Sequence, residues 1–356
     1  MASFEEAYAA LDEYRAVLSN ALMDDSPTVA SPFASRGAFA TIASPLGNVH
    51  ATGVGVRLRG GKLVPGDFVL KVFVFDKQEL GSATPSITGS NFQGVGIDVE
   101  PLPVQRALDV AGRAVPAKAG ARKAAAATTP AQHQRRHRPI VGGVQISPAG
   151  ANFVGTMGCL VRRRGGKLFA LSNNHVLADT NQLPLGTSIV QAFGPGPQDV
   201  FAKLTAFEPI RFPSISTPTP RNRIDAAIAA VSDNSLVAAG RMFGIPRYTP
   251  LLAAPRPAMQ VIKSGRTTAV TRSIISAIRV NGVMVDYGEP HNPMIATFDG
   301  CVVVAGGAFS AGGDSGSVIL DAASGRPVAL LFAGDPTRTI ACDLTAVCNR
   351  FNVVPA

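Results

Sequence analysis

The chain has 356 residues, a length that predicts two or three domains. Hydrophobic residues make up 46% of it and charged residues 16%, which provides enough apolar side chains for large cores. Its 36 glycines and 27 prolines indicate many turns and therefore a β-rich fold of short strands. Most of the formal net charge of +9 falls in residues 105–138, so the basic composition does not indicate a basic surface elsewhere.

Residues 4–23 are predicted to form an amphipathic helix, because Ser3 and Glu6 match a capping box and apolar residues then recur at helical spacing. This start lacks the basic segment and apolar run of a secretion signal. No stretch of the chain approaches the apolar length of a membrane span. We therefore expect a cytoplasmic protein without a membrane span, and we assign residues 1–37 to this helix and a connector.

Residues 38–104 are predicted to form a small α/β accessory module. Alternating or apolar runs within 54–59, 67–75 and 95–99 indicate three strands. The module contains no cluster of catalytic residue types. It either packs beside the rest of the chain or docks a substrate or partner, and the sequence leaves both open.

Residues 105–138 are predicted to be a basic flexible linker, since they contain eight lysines or arginines, one aspartate and an alanine run. Two other roles stay open for this linker. It could attract a nucleic acid or another anionic partner weakly and in a salt-dependent way, or it could be a site of proteolytic processing.

His175 follows an apolar strand that begins at Leu168, and a rigid strand end suits a general base. The other histidines have weaker surroundings. His291 lies in a proline-bounded loop, His50 in a turn-like run where we expect a surface position, and His133 and His137 in the basic tract where we expect no fold to hold them.

Asp225 stands at the start of an apolar strand that continues to Val231. A carboxylate that leads a buried strand is costly unless it is paired, and a histidine N–H would pair it. Asp179 and Asp199 are competing candidates for the acid, but Asp179 is only four residues past His175 and Asp199 lies beside loop sequence.

Ser315 lies in the run Gly-Gly-Asp-Ser-Gly-Ser from Gly312 to Ser317. Glycines let the backbone turn tightly, so the amides of Gly313 and Ser315 can point at one spot and stabilise an oxyanion. Every histidine precedes Ser315, which excludes the order of the α/β-hydrolases and leaves the order His, Asp, Ser. A base and an orienting acid for this nucleophile are predicted at His175 and Asp225.

Four motifs together resemble the trypsin-like (chymotrypsin-fold) serine peptidases, and most closely their bacterial and plant group that includes the plant narrow-leaf proteins. These motifs are Leu-Ser-Asn-Asn-His-Val-Leu at 171–177, Asp-Ala-Ala-Ile at 225–228, Lys-Ser-Gly-Arg-Thr-Thr at 263–268 and Phe-Ser-Ala-Gly-Gly-Asp-Ser-Gly-Ser at 309–317. The resemblance implies a mainly β protease domain over 139–356. Its two six-stranded β-barrels would cover about 139–245 and 250–356.

The same resemblance implies a serine endopeptidase with a His175, Asp225 and Ser315 triad, an acyl-enzyme, and an oxyanion hole from the amides of Gly313 and Ser315. A protein or peptide substrate would bind as an extended strand beside Phe332, Ala333 and Gly334, and no cofactor is implied. Phe309 falls where the floor of the primary specificity pocket is set. Because a carboxylate is absent there, we expect a preference for an apolar side chain.

The chain departs from the trypsin pattern at three places. Phe332 stands where trypsins have a serine that hydrogen-bonds the catalytic acid, so the sequence leaves open what else satisfies Asp225. Ala269 stands directly after the Lys-Ser-Gly-Arg-Thr-Thr motif, where the related peptidases usually have glycine. Arg138 and Pro139 precede Ile-Val-Gly-Gly, and a poorly cleavable Arg–Pro bond favours a strand start over activation by cleavage, which leaves the anchor of Asp314 open.

The four cysteines, Cys159, Cys301, Cys342 and Cys348, lack metal-ligand spacing, so we expect buried reduced thiols and no metal site. Cys342 and Cys348 are the only two close enough in sequence to consider for a bridge. Two other function classes remain: a catalytically weak or latent adaptor that binds peptides, and a nucleic-acid-associated protein recruited by the basic linker.

Overall fold

The computed structural model describes residues 1–24, 49–75, 91–107, 128–192, 197–289 and 291–356. Strands dominate this part of the chain, as the turn-rich composition predicts. Within the described residues, no helix is both long and apolar enough to cross a membrane.

The N-terminal region is a helix packed on a small sheet. Its elements are α1 (Phe4–Asp24), β1 (Val49–Arg59), β2 (Lys62–Val74), β3 (Asn91–Phe92), β4 (Val95–Pro101) and β5 (Gln105–Ala107). The predicted helix and the three predicted strands are all present. Apolar side chains of α1, including Leu11 and Tyr14, are buried against Val54 of β1 and Leu70 of β2, which fixes the helix on the sheet by burial of apolar surface.

The next region holds a half-barrel. Its elements are α2 (Pro130–His133), β6 (Ile140–Gly142), β7 (Gln145–Pro148), β8 (Gly155–Thr156), β9 (Cys159–Arg162), β10 (Leu168–Ser172), α3 (Asn174–Leu177), β11 (Ser188–Val190), β12 (Val200–Phe207), β13 (Arg221–Asn222), β14 (Ala227–Val231) and β15 (Val237–Met242). Strands β7, β11, β12, β14, β10 and β9 pair in that order without closing.

The C-terminal region holds a closed barrel. Its elements are β16 (Gln260–Gly265), β17 (Ala269–Asn281), β18 (Val283–Asp286), β19 (Ile295–Phe298), β20 (Cys301–Ala305), β21 (Val318–Asp321), β22 (Pro327–Gly334), β23 (Arg338–Asp343), α4 (Leu344–Phe351) and β24 (Val354–Pro355). Strands β16, β17, β20, β23, β22 and β21 each pair with two neighbours and form a ring of six.

The prediction of a mainly β chain with a chymotrypsin-like double barrel, an N-terminal helix and a small module is therefore confirmed. One hydrophobic cluster contains side chains of both barrels, such as Leu171 and Ile228 from the first and Leu330 and Phe332 from the second. After α4 the chain returns to the first barrel, where Val354 pairs with Arg162. The junction between the barrels is thus a packed core.

The N-terminal sheet is continuous with the second barrel. Strand β1 pairs antiparallel with β17, with Val54 opposite Ile278 and Gly55 opposite Ala277. The side chain of Arg15 on α1 donates to the carbonyl of Thr52 at 3.0 Å. The predicted accessory module therefore extends the sheet of the second barrel, because the edge of β17 offers backbone donors and acceptors that β1 satisfies.

The prediction of a flexible linker over 105–138 is wrong at both of its ends. Residues 105–107 form β5, and residues 130–133 form α2, where His133 is fully buried. The backbone amide of Thr129 donates to the Gln132 side chain at 2.7 Å, and Pro130 opens the helix, so local capping residues hold this turn. The middle of the predicted linker, 108–127, lies outside the described residues.

Candidate active site

Strand pairing in the first barrel brings His175 and Asp225 together. Ser172 of β10 lies opposite Ala227 of β14, so the residue three places after Ser172 and the residue two places before Ala227 meet at one end of the pair. Nδ1 of His175 is hydrogen-bonded to Oδ2 of Asp225. Both side chains are almost completely buried.

The carboxylate of Asp225 is held by several donors. Its Oδ1 accepts from the backbone amides of Asn174 at 2.7 Å and His175 at 3.3 Å. The Asn173 side chain donates to the carbonyl of Asp225 at 2.7 Å. A buried carboxylate is stable only when it is paired and hydrogen-bonded, so these contacts explain how Asp225 can be completely buried.

Tyr287 supplies the donor that the serine missing at position 332 would otherwise provide. Its hydroxyl donates to Oδ2 of Asp225 at 2.9 Å, and its ring meets the His175 ring edge-on at 5.7 Å. Burial, and secondarily the charge of Asp225, raises the pKa of Tyr287 far above its usual value, so the phenol keeps its proton and remains a donor.

The loop around Ser315 is a tight turn fixed to both barrels. Gly313 and Gly316 both have φ of +90°, a region that glycine adopts without strain. The amide of Thr156 donates to the carbonyl of Ser315 at 2.8 Å, and the amide of Gly316 donates to the carbonyl of Leu331 at 2.9 Å. A Cβ at Gly316 would lie 2.1 Å from Oγ of Ser172, so only glycine lets the turn sit this close to the first barrel.

Two amides of this turn, both in buried residues, have no acceptor among the described residues. Those of Asp314, Gly316 and Ser317 donate within the protein. Among the described residues, the amides of Gly313 and Ser315 donate no hydrogen bond. The hydroxyl of Ser315 donates to the carbonyl of Phe332 at 3.4 Å. The turn therefore has the features that an oxyanion hole needs: two unspent N–H donors on a fixed backbone beside a serine.

Asp314 is anchored without any chain terminus. Oδ2 of Asp314 lies 3.2 Å from Nζ of Lys263, and both side chains are fully buried. Its Oδ1 accepts from the amide of Thr267 at 2.8 Å, and its Oδ2 accepts from the hydroxyl of Thr268 at 2.6 Å. Burial lowers the pKa of Lys263, and the neighbouring Asp314 carboxylate offsets only part of that lowering. The Lys-Ser-Gly-Arg-Thr-Thr motif thus provides the cation and the donors that hold the turn.

A row of three aromatic rings runs from Tyr287, beside Asp225, to Phe332, beside Ser315. Tyr287 lies 6.2 Å from Phe298 between ring centroids, and Phe298 lies 4.8 Å from Phe332. Phe332 is completely buried in the cluster shared by both barrels, while its carbonyl accepts from Ser315. The Phe332 side chain therefore fills the core behind the site.

The remaining residues predicted to contact substrate lie on or near β22. Ala333 and Gly334 end that strand, and both are buried because strands cover both of their edges. Phe309 is 2% exposed and packs in an apolar cluster of the second barrel. Its carbonyl accepts from the hydroxyl of Thr271 at 2.7 Å, which ties the segment before the Ser315 turn to β17.

Three other histidines have structural places that the sequence analysis did not predict. Nδ1 of His133 is 2.8 Å from the carbonyl of Gly143, and Nε2 of His137 is 2.8 Å from the carbonyl of Gln132. The expectation that no fold holds them is wrong, because α2 packs on the barrels. His50 is half-buried, stacked on Phe75 with ring centroids 4.2 Å apart, so its expected surface position is also wrong. His291 is exposed, as predicted.

All four cysteines are free and buried. Burial raises the pKa of the Cys159 and Cys348 thiols to about 12, so both stay protonated and unreactive. Cys342 stands opposite Cys301 in the pairing of β20 with β23, and its sulfur accepts from the amide of Asp225 at 3.2 Å. Cys342 thus supports the acid, a role that its sequence surroundings do not indicate.

Tyr287 and Lys263 are parts of this site that were not predicted from the sequence. Tyr287 follows β18, 62 residues beyond its partner Asp225, so only tertiary structure brings the two together. A signal for such a donor was present nevertheless, since the absence of serine at position 332 required another partner for the acid. For Lys263 the signal is a lysine inside the apolar strand β16, which needs a buried counter-charge.

No family model matches the chain, and no curated protein matches it. Among solved structures, it is similar to a serine protease described as specific for glutamic acid, with 20% identity, 61% of this chain and 100% of that chain covered, and a TM-score of 0.44. It is also similar to protease A of Thermobifida fusca, with 17% identity, 61% and 98% covered, and a TM-score of 0.43. For a chymotrypsin of Cellulomonas bogoriensis the identity is 14%, with 61% and 98% covered and a TM-score of 0.40.

These structural neighbours are described as serine proteases. Strand pairing and a hydrogen bond bring His175 and Asp225 together, and backbone hydrogen bonds hold the Ser315 turn against both barrels. The fold that this pairing builds is that of the chymotrypsin-like serine peptidases.

Proposed function

We propose that the protein is a serine endopeptidase whose nucleophile is Ser315. The observation that carries this proposal is the buried His175–Asp225 pair, joined through Nδ1 and Oδ2, at the barrel junction that also holds the Ser315 turn. A histidine fixed in this way by a carboxylate is the arrangement that activates a serine hydroxyl.

In the proposed reaction, His175 accepts the proton of Ser315 as the hydroxyl oxygen bonds to the substrate carbonyl carbon. The carbonyl oxygen becomes an oxyanion, stabilised by the amides of Gly313 and Ser315, each worth roughly 3 kcal/mol in comparable sites. His175 then returns the proton to the leaving amine, which leaves an acyl-enzyme. Water attacks this ester by the same steps in reverse and restores Ser315.

Asp225 acts through His175. Its Oδ2 bonds to Nδ1, which keeps the proton on that nitrogen and leaves the other nitrogen to act as base. When the imidazole becomes a cation, the carboxylate stabilises it. Tyr287 and the amide of Asn174 hold the carboxylate in place, so the acid does not reorganise during the reaction.

The proposed substrates are peptides bound as an extended strand on the edge of β22 at Ala333 and Gly334. The segment at Phe309 has no carboxylate, so we expect an apolar side chain before the cleaved bond. By this reasoning, the Arg-rich residues between 108 and 138 are poor substrates for the chain's own site.

A small fluorophosphonate tests this proposal, because it needs only an activated serine. The native chain is expected to gain one adduct, located at Ser315 by peptide mapping, while Ser315→Ala gains none. Ser310→Ala is a matched control, since Ser310 lies in the same segment and its hydroxyl bonds to Thr339 at 2.6 Å, away from the proposed chemistry. A correctly folded native chain without an adduct would instead favour a peptide-binding adaptor.

A further inference from the structure

One edge of β22 carries two occupants in succession. Strand β23 covers the opposite edge from Ala329 to Gly334. On the edge that does not face β23, Leu331 exchanges backbone hydrogen bonds of 2.9 and 3.0 Å with Gly316 and Ser317. Because each strand residue has only two edges, whatever pairs with the end of β22 on this side lies directly beyond the Ser315 turn.

The occupant at that place is β5 of the same chain. Ala107 lies opposite Ala333 and Arg106 opposite Gly334, and the pairing is antiparallel. From Arg106 to Ala107, β5 therefore runs towards Phe332, whose carbonyl accepts the Ser315 hydroxyl. Within the described residues, β5 thus has the position and the direction of an extended substrate bound at this edge.

We propose that β5 is a built-in substrate mimic that occupies the peptide-binding edge and keeps the protease autoinhibited against extended substrates. This inference rests on the proposed function, because it uses the same nucleophile and the same edge of β22. A peptide can add to that edge only after β5 leaves, since two strands cannot use the same backbone donors and acceptors.

Specific contacts hold β5 in the edge. Nε2 of Gln105 donates to Oδ2 of Asp335 at 2.8 Å, next to the end of β22. The Arg106 guanidinium donates to the carbonyl of Gly288 at 3.3 Å. On its other side β5 pairs in parallel with β18, where Gln105 lies opposite Val285. The strand is therefore seated between β22 and β18.

The pairing of β5 with β22 is short and leaves one buried acceptor without a partner, which favours dissociation of β5 from the edge. Only two residue pairs join β5 to β22, whereas six join β2 to β4 in the N-terminal sheet. Oε1 of Gln105 is buried without a hydrogen-bond partner among the described residues, and such an acceptor costs roughly 1–3 kcal/mol. Opening β5 therefore costs less than opening either barrel.

The strand is also tethered, so it competes well while it is in place. Leu102, three residues upstream, is fully buried in the cluster shared by the barrels. A tether of this length gives β5 a high effective concentration at the edge, and a free peptide must compete against it. Withdrawal of β5 is thus the step that regulates access.

Two probes separate reactivity from access. A small fluorophosphonate needs no contact with the β22 edge, whereas a peptidyl phosphonate with three residues before its reactive group needs that edge. The double variant Gln105→Ala/Arg106→Ala removes the side-chain contacts of β5. The peptidyl phosphonate is expected to react about tenfold faster or more, because a loss of roughly 1.4 kcal/mol in the binding of β5 corresponds to a factor of ten. The small probe is expected to react at the native rate.

A reversible lock provides the opposite change. Ala107→Cys with Ala333→Cys places two cysteines at directly opposed positions of β5 and β22. With the disulfide formed, the ratio of peptidyl to small-probe labelling is expected to fall well below that of the same protein after reduction. The native cysteines are buried, so they do not compete for this bridge.

Equal peptidyl rates in the native chain, the double alanine variant and the locked form would overturn autoinhibition, provided that the small probe reacts in all three. Failure of the small probe in every folded form would instead overturn the proposed function. In that case a fluorescent peptide with the sequence of residues 101–107 still reads occupancy. It is expected to bind the double alanine variant more tightly than the native chain, and equal binding would overturn the inference.

Discussion

The hydroxyl of Tyr287 donates to Oδ2 of Asp225 at 2.9 Å, on the same oxygen that binds Nδ1 of His175. This contact joins the acid of the first barrel to a residue that follows β18 in the C-terminal region. It also identifies a donor to Asp225 in place of the serine that trypsins have where this chain has Phe332. Tyr287 is therefore a positioning residue, since it acts on the imidazole through the carboxylate.

Tyr287→Phe removes this hydroxyl and keeps the ring. A hydrogen bond to a charged group contributes about 1.5–3 kcal/mol, so the labelling rate of Ser315 is expected to fall about tenfold or more. The acid limb of the rate's pH profile is expected to move as well, which a purely structural role would not cause. Tyr8→Phe is the control, because Tyr8 is an exposed tyrosine on α1. An unchanged rate and profile would remove Tyr287 from the account.

Lys263→Met is expected to destabilise the chain by about 3–5 kcal/mol, because it leaves Asp314 as an unpaired buried charge. The Ser315 turn should then lose its register, so labelling should fall too. Adding Asp314→Asn removes the stranded charge and is expected to restore part of the stability. Urea unfolding measures both effects, with the exposed Lys203→Met as control. A single variant as stable as the native chain would show that this pair does not hold the turn.

Gly316→Ala tests why the turn requires glycine. Gly150→Ala is a matched control, because Gly150 also has positive φ, at +81°, but a Cβ there meets no atom within 4 Å. The control is expected to lose only the backbone cost of about 1–2 kcal/mol. Gly316→Ala is expected to lose more and to abolish labelling, because its Cβ would lie 2.2 Å from the carbonyl oxygen of Thr156. Equal losses would mean that the turn has room to move.

His50 is expected to make the fold sensitive to acid. Its ring nitrogens lie 3.2 Å from the carbonyl of Gly282 and 2.8 Å from that of Leu102, and burial lowers its pKa to about 4. An unfolded histidine has a pKa near 6.5, so between these values the unfolded chain binds a proton that the folded chain does not. Stability therefore falls as the pH falls through this window, by at most about 3 kcal/mol.

His50→Gln removes that titration. The difference in unfolding free energy between native and variant is expected to shrink as the pH falls from 6.5 to 4, because only the native chain loses stability to this group. His291→Gln is the control, since His291 is exposed in its loop. Parallel curves for the native chain and His50→Gln would contradict the prediction.

Local patterns carried much of the sequence analysis. The strands before His175 and after Asp225 could be predicted from apolar runs, and the Ser315 turn from its glycines, because these features are set by neighbouring residues. The double-barrel fold was implied by the resemblance of four motifs to the chymotrypsin-fold peptidases, and the structure confirms that fold.

Other features depend on tertiary pairing and left little local trace. Strand β5 has three residues and no apolar pattern, and it is a strand because β18 and β22 bond to it on either side. Its position in a basic stretch favoured a linker. For α2 a local signal did exist, in Pro130 at its first turn and in the Thr129–Gln132 contact, but the surrounding arginines outweighed it.

The most direct test of the central claim is mass spectrometry of the full chain after reaction with a small fluorophosphonate, followed by peptide mapping. The account predicts one adduct on Ser315, lost in Ser315→Ala and strongly slowed in His175→Ala. An adduct on another serine, or none on a folded native chain, would contradict it.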